Sequence, residues 1–134
     1  MNVRIATLGA INSVPFGTSS LDFEAVMGFA DKTLENYTGE VEMLYDDSFY
    51  RFFNDRLVEA TFPDTHQFQV DDIMILSMFD WLAACEDVVD MARFRISLSQ
   101  GIAYDYRIPD AGSITVFEEG WWDALVLTHQ EQFR

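Results

Sequence analysis

Apolar residues recur at three-and-four spacing after Ser20, where Phe23, Val26, Met27, Ala30 and Leu34 share one face and Asp22 and Glu24 occupy a first turn. The pattern predicts an amphipathic helix capped by Ser20, running to about Asn36 and stopped by Gly39. Period two takes over next. Val41, Met43 and Tyr45 alternate with Glu40, Glu42 and Asp46, which reads as a half-buried strand with carboxylates on its open face. From Ser48 to Glu59 two readings stand: Phe49, Phe52, Phe53 and Leu57 fit a helix, while the aromatic density of Ser48 to Phe53 fits a second strand pairing the first. Thr61 to Thr65, with Pro63-Asp64, reads as a loop, and His66, Phe68 and Val70 alternate as a brief strand.

The longest apolar run is Ile73 to Cys85, where only Ser77 and Asp80 interrupt, and it predicts a buried central helix near residues 71–87. Asp71 and Asp72 complement the amides at its start, whereas Glu86, Asp87 and Asp90 stand at the end where the helix dipole favours cations. A local rule broken in this way is a pointer to function. Before the first helix, Val3, Ile5 and Ala6-Thr7-Leu8 form a short strand or an N-terminal arm over residues 1–19, with loop from Gly9. Ala92 to Ile108 fits a helix or a pair of strands, the helix being favoured. Pro109-Asp110-Ala111-Gly112 reads as a turn, Ser113 to Val126 as a short helix or strand carrying Trp121 and Trp122 onto the core, and 128–134 as a frayed tail. Together these elements predict an α+β fold: one acidic globular domain, 1–134, with helices packed around a small antiparallel sheet.

Charge changes this picture most. Between Asp22 and Asp90 seventeen carboxylates face Lys32, Arg51 and Arg56, so that segment carries −14 of the chain's −15. With 49% hydrophobic residues, twelve Phe, five Tyr and three Trp, the chain has the apolar content to fold, unlike an acidic disordered tail. A concentrated polyanion opposes compaction by self-repulsion, so the acid is expected to face a partner or a special solvent. It would repel phosphate backbones and anionic headgroups, which argues against direct binding of nucleic acid or membrane. The N-terminal segment lacks the pattern of a signal peptide, and no twenty-residue window is free of charge. The single cysteine, Cys85, has no internal partner and reads as a buried inert thiol, in keeping with a reducing bacterial cytoplasm.

Recognisable enzyme chemistry is sparse. His66 and His129 are far apart in sequence and Cys85 is alone, so zinc-ligand spacing is missing, and neither Asp46-Asp47 nor Asp71-Asp72 sits in a calcium-loop pattern. There is no glycine-rich phosphate cradle and no Gly-x-Ser-x-Gly elbow; a Ser/His/Asp set built on His66 or His129 has no sequence signal to choose its members. The expectation is a protein that is not an enzyme and holds no metal or cofactor. Its candidate contact residues are the carboxylates Glu40, Glu42, Asp46, Asp47, Asp55, Glu59, Asp64, Glu86, Asp87 and Asp90, acting on a partner as monomer or homodimer.

Glu35-Asn36-Tyr37-Thr38-Gly39, followed by Met43-Leu44-Tyr45 and Ser48-Phe49-Tyr50, resembles paired motifs of the ArdB/KlcA antirestriction family. That family carries an acidic-Tyr-x-Gly-Gly-aromatic block and then a Gly-Gly-Phe-Tyr block, and Pro109-Asp110-Ala111 is similar to its later Pro-Glu-Ala. The similar span runs roughly from Phe23 to Ile114; Glu40 replaces the second glycine, and Asp47-Ser48 the later glycine pair. The resemblance implies helices around a small antiparallel sheet, a strand at Ser48 to Phe53, and a role in phage or mobile-element evasion of restriction, with no catalytic residue to carry over. Charge and resemblance together predict an inhibitor of a restriction or CRISPR effector that presents a DNA-mimicking acidic face to its basic nucleic-acid-binding surface. The alternatives are an acidic salt-adapted domain, a phage structural domain or a small hydrolase.

Overall fold

The computed structural model of the chain describes residues 2–36, 38–107 and 111–132. Tyr37, Pro109 and Asp110, together with the last two residues of the expected tail, lie outside that set. Among the described residues the strands are β1 Asn2–Ala6, β2 Ala10–Ile11, β3 Val14–Pro15, β4 Lys32–Glu35, β5 Glu40–Tyr45, β6 Ser48–Phe53 and β7 Arg56–Pro63. They continue with β8 Gln67–Val70, β9 Ile73–Ile75, β10 Val89–Met91, β11 Phe94–Ser97, β12 Ile102–Asp105 and β13 Ser113–Phe117. The helices are α1 Ser20–Met27, α2 Met78–Ala83 and α3 Asp123–Gln132.

The fold is therefore mostly β, and the expected arrangement of helices around a small antiparallel sheet is corrected: two sheets of five and eight strands carry the structure. The smaller is ordered β3-β2-β1-β8-β9 and the larger β10-β11-β12-β13-β7-β6-β5-β4. Every pairing is antiparallel except β1 with β8, where Val3 lies opposite Phe68 and Ile5 opposite Val70. That contact builds the N-terminal segment into a sheet, with Val3 and Ile5 buried.

Local turn chemistry explains the lost helices. Ser19, not Ser20, caps α1 by accepting from the Asp22 amide, and Gly28 at φ 84° ends it after Met27. Lys32 to Glu35 then pairs with β5 as an edge strand, and of the expected apolar stripe only Phe23 is buried. The run from Ile73 to Cys85 breaks in the same manner. Asp71, in the left-handed region at φ 52°, makes with Asp72 a two-residue turn that pairs Val70 with Ile73. Ser77 then caps the six-residue α2, leaving Leu76 between the two elements 99% exposed. No buried central helix occupies 71–87, because hairpin and cap divide the apolar run before a helical face can form.

Ser48 to Phe53 is a strand, joined to β5 by Asp46-Asp47 and to β7 by Asn54-Asp55, whose two positive φ angles are those of a type I′ hairpin turn. Strand β7 extends to Pro63, so Thr61 to Pro63 belongs to the sheet and not to a loop. Of the expected element Ala92 to Ile108, whose last residue lies outside the described set, the described part contains the antiparallel pair β11 and β12, not a helix. The final segment supplies both β13 and α3.

The inner faces of both sheets meet in one core containing Val3, Ile5, Ile11, Phe52, Phe62, Phe68, Ile102, Ile114 and Val116, with Phe23 of α1 and Leu82 of α2 closing it. A second cluster lies on the outer face of the larger sheet, where Trp122 stacks on Phe117 at 5.0 Å and Val126 of α3 packs with Ile96 and Ala103. In the connection from β11 to β12 the chain packs closely at Gly101, at φ 68°, where an added Cβ would sit 2.7 Å from both Leu8 Cδ2 and the Phe117 carbonyl oxygen. Gly120, at φ 84°, has nothing within 4 Å of the corresponding point. Gly120→Ala is expected to cost about 1 kcal/mol from the left-handed backbone alone, and Gly101→Ala at least about 2 kcal/mol because backbone blocks the new methyl. Urea unfolding of both variants checks the order, and equal losses would contradict it.

Candidate functional site

A bulge decides what the acidic strands present. The register of β6 against β7 shifts between Arg51 and Phe52, so Phe52 faces Leu57 while Arg51 faces Glu59, and Val58 is the extra residue. Leu57 thus stays in the core while Glu59 turns to the outer face, beside Arg51 and opposite Phe117 of β13. Strand β5 adds Glu42 opposite Arg51. The Arg51 guanidinium donates to Glu42 and lies 3.6 Å from Glu59 and 3.9 Å from Glu40. Burial works against its charge, but the Glu42 hydrogen bond and the three carboxylates overcome this and hold its pKa above the ordinary arginine value. Glu59 is only 6% exposed, and its Oε1 accepts from the indole N–H of Trp121 at 2.7 Å and of Trp122 at 3.4 Å. Glu40, Glu42 and Glu59 are therefore brought together, but around a guanidinium and two indoles that consume much of their hydrogen-bonding capacity.

The remaining predicted contacts separate. Asp46 and Asp47 form the β5–β6 turn, and Asp64 follows β7 at the same end of the sheet, accepting from the Tyr104 hydroxyl at 2.6 Å. Asp55 lies in the turn at the opposite end of β6, where it accepts from the Ser20 amide and hydroxyl and so ties α1 to the sheet. Asp87 accepts from the Ser97 hydroxyl at 2.7 Å and the Ser99 amide at 2.8 Å. Asp90 pairs with Arg95 on β10 and β11, and Glu86 is exposed after α2. These three stand by the β10 edge, the far side of the sheet from β4. The ten carboxylates do not form one contiguous face.

The sequence reading did not single out the cavity beside the β5–β6 turn. It measures about 470 Å³ and is lined by Met27, Asp31, Tyr45, Asp46, Asp47, Ser48, Tyr50 and His66. Asp31 Oδ2 accepts from the Asp46 amide at 2.7 Å, and the Tyr45 hydroxyl donates to the Gly28 carbonyl at 2.8 Å, which folds the end of α1 over the turn. His66 Nε2 lies 3.0 Å from both oxygens of Asp47, to which the Ser48 hydroxyl also donates. Burial pulls the Asp47 pKa up, but hydrogen bonds from His66 and Ser48 outweigh it and hold the carboxyl below its usual 3.8. Desolvation, then Tyr45 and Asp47, pushes Tyr50 up to about 12. The sequence offered one signal for this place, an Asp-Asp dipeptide between two alternating runs, which marks a hairpin turn. Its partner His66 arrives from the start of the other sheet and left no such mark.

Ser48, Asp47 and His66 do not form a nucleophilic relay. Such a relay needs the imidazole between carboxylate and hydroxyl, whereas here the carboxylate lies between the other two and Ser48 is 1% exposed. Among the described residues no group of three or more His, Cys, Asp or Glu is placed to hold a metal ion, and no helix is long and apolar enough to cross a membrane. Cys85 is half-buried, its thiol 3.6 Å from the Trp81 carbonyl oxygen, and burial raises its pKa. No family model, curated protein or solved structure matches the chain.

Removing the cation from the outer-face cluster leaves Glu59 facing Glu40 and Glu42. Arg51→Met is expected to cost about 2 kcal/mol, and adding Glu59→Gln to recover about 1 kcal/mol of that loss, since the amide oxygen still accepts from the indoles. A double-mutant cycle in urea reads the coupling directly; strict additivity would refute it. Asp87 is held below its ordinary 3.8: burial raises its pKa, but the Ser97 and Ser99 hydrogen bonds outweigh that. A depressed folded-state pKa contributes stability above the unfolded value and loses it as pH falls through the folded value. Asp87→Asn should therefore be less stable than the wild type at neutral pH, with the gap closing below the ordinary carboxylate range. A gap that widens on acidification would contradict this.

Proposed function

We propose that this chain is a non-enzymatic binding protein that docks on a basic surface of another protein. In the reading favoured by its charge, that surface is the nucleic-acid-binding face of a bacterial restriction or CRISPR effector, which docking would block. One observation carries the proposal. By the β5–β6 turn of the larger sheet, exposed Asp31, Asp46 and Asp47 stand with exposed Met27 and 89%-exposed Phe29, and exposed Asp22 and Glu35 lie further along the flanking helix and edge strand, towards the other end of β5. Apolar side chains with a predominantly acidic rim, here interrupted by exposed Lys32, are the composition of a docking surface, with burial supplying affinity and the rim supplying steering. Among the carboxylates here, Asp31 and Asp47 hold the Asp46 amide and the His66 and Ser48 side chains, and Asp46 differs in kind. Asp55, Asp64, Asp87 and Asp90 hold this chain's own amides, hydroxyls or guanidinium, whereas Asp46 contributes only its backbone amide to the Asp31 bond.

A rim of exposed carboxylates fits Lys and Arg clusters that otherwise grip phosphates, and the motif resemblance to the ArdB/KlcA family points the same reading towards type I restriction. Salt should weaken the interaction, because exposed charges are screened within about 10 Å at 0.1 M ionic strength.

The test is DNA cleavage by purified type I restriction and CRISPR effectors with the protein added at low and high salt, alongside affinity capture from a bacterial lysate. Inhibition that fades with salt and is competed by duplex DNA is expected, and Asp22→Asn with Glu35→Gln should lower the association rate about tenfold. Undiminished cleavage together with capture of no nucleic-acid enzyme at either salt would remove the proposal.

A further inference from the structure

Tyr50 is 3% exposed, yet among the described residues its hydroxyl has no hydrogen-bond partner; its ring packs against Phe23, Tyr45 and Phe62. No fully enclosed side-chain nitrogen or oxygen in the described structure lacks a partner, so this hydroxyl retains an opening, and the cavity it lines is the one beside the β5–β6 turn. A buried phenol that makes no bond within its own chain forgoes stability unless something else supplies the bond. Around it stand Asp31, Asp46 and Asp47, with Glu24 close enough to raise the pKa of Tyr45. His66 is the one basic side chain lining the space, and it is already engaged by Asp47.

We infer that this cavity is a receptor for a primary alkylammonium group, the lysine side chain of the docked partner. The inference rests on the docking proposal above and specifies what enters its centre. Charge rules out an anionic occupant, since three carboxylates meet at the opening. The spread of the acceptors favours ammonium over guanidinium. A guanidinium is held best by both oxygens of one carboxylate, and both oxygens of Asp47 lie at 3.0 Å from His66 Nε2. What remains are acceptors spread over three residues: the Tyr50 hydroxyl, the second oxygen of Asp31 and the Asp46 carboxylate, which alone keeps both oxygens. Acceptors on three residues match the three divergent N–H donors of a tetrahedral ammonium. The apolar wall is supplied by Met27 and Tyr45, against which the methylene stem of a lysine can lie while its head reaches the phenol. A volume of about 470 Å³ accommodates such a stem.

The test is a titration of the 134-residue chain with n-butylammonium chloride, read by the aromatic NMR signals of Tyr45 and Tyr50, with n-pentanol and n-butylguanidinium as controls at matched ionic strength. Saturable shifts with butylammonium, weaker by about tenfold in Asp46→Asn and in Tyr50→Phe, are expected. Asparagine tolerates the left-handed conformation of position 46, at φ 56°, and Phe keeps the packed ring at position 50, so thermal unfolding of both variants should stay near the wild type and separates lost binding from lost fold. Equal saturation by pentanol, tighter binding of butylguanidinium, or shifts that never saturate would each overturn the inference. Saturation by butylammonium combined with failure to bind any basic protein would keep the receptor and remove the docking proposal. Effector inhibition without butylammonium saturation would do the reverse.

Discussion

The pairing of β13 with β7 holds the larger sheet together. Without it, β4 to β7 and β10 to β12 would be separate antiparallel ribbons, each with an open edge. Inserted between β12 and β7, β13 completes both ladders and buries Ile114 and Val116 towards the core, while Phe117 turns outward to seat Trp122. The Thr61 and Thr115 hydroxyls, 2.8 Å apart, add a cross-strand bond at the centre of the same interface. Strand β7 reaches this position long before β13 exists in sequence, so the central seam closes late and at high loop-closure cost.

The same seam makes the acid tolerable. A carboxylate as buried as Glu59 is costly unless it is paired and hydrogen-bonded, and each of its partners depends on a different part of the sheet. Arg51 comes from β6 by the bulge, and Trp121 and Trp122 come from the segment that follows β13. Elsewhere the carboxylates are used as connectors. Asp55 anchors α1, Asp87 fastens the β11–β12 connection, and Asp71 accepts from the Thr7 amide and hydroxyl to close the smaller sheet. Much of what reads as a polyanion in sequence is therefore internal wiring.

How far the sequence could be read follows from the range of each signal. The alternation of Val41, Met43 and Tyr45 identified β5, and that of Phe68 and Val70 identified β8, because a half-buried strand writes its period into adjacent residues. The helical spacing after Ser20 was equally regular and misled, since Gly28 cuts the segment and the remainder pairs as an edge strand. The apolar run from Ile73 failed for a related reason: a run of that composition suits helix or strand, and Asp71 and Ser77 arbitrate through backbone conformation. Of the candidate contacts, Glu40, Glu42 and Glu59 do converge, but no spacing rule reveals that Glu59 needs the Val58 bulge to join them.

By itself, the sequence determined that this is a folded acidic chain, with strands at β5 and β8 and carboxylates massed between Asp22 and Asp90. Those properties follow from composition and from neighbours a few residues apart. Tertiary structure alone decided the two-sheet architecture, the partners of each carboxylate and the cavity at Tyr50. Its walls come from α1, the β5–β6 hairpin and His66, which no local pattern connects. Pairing partners such as β1 with β8 and β7 with β13 are chosen by the burial of whole faces, and that free energy is defined only once the distant strands have met.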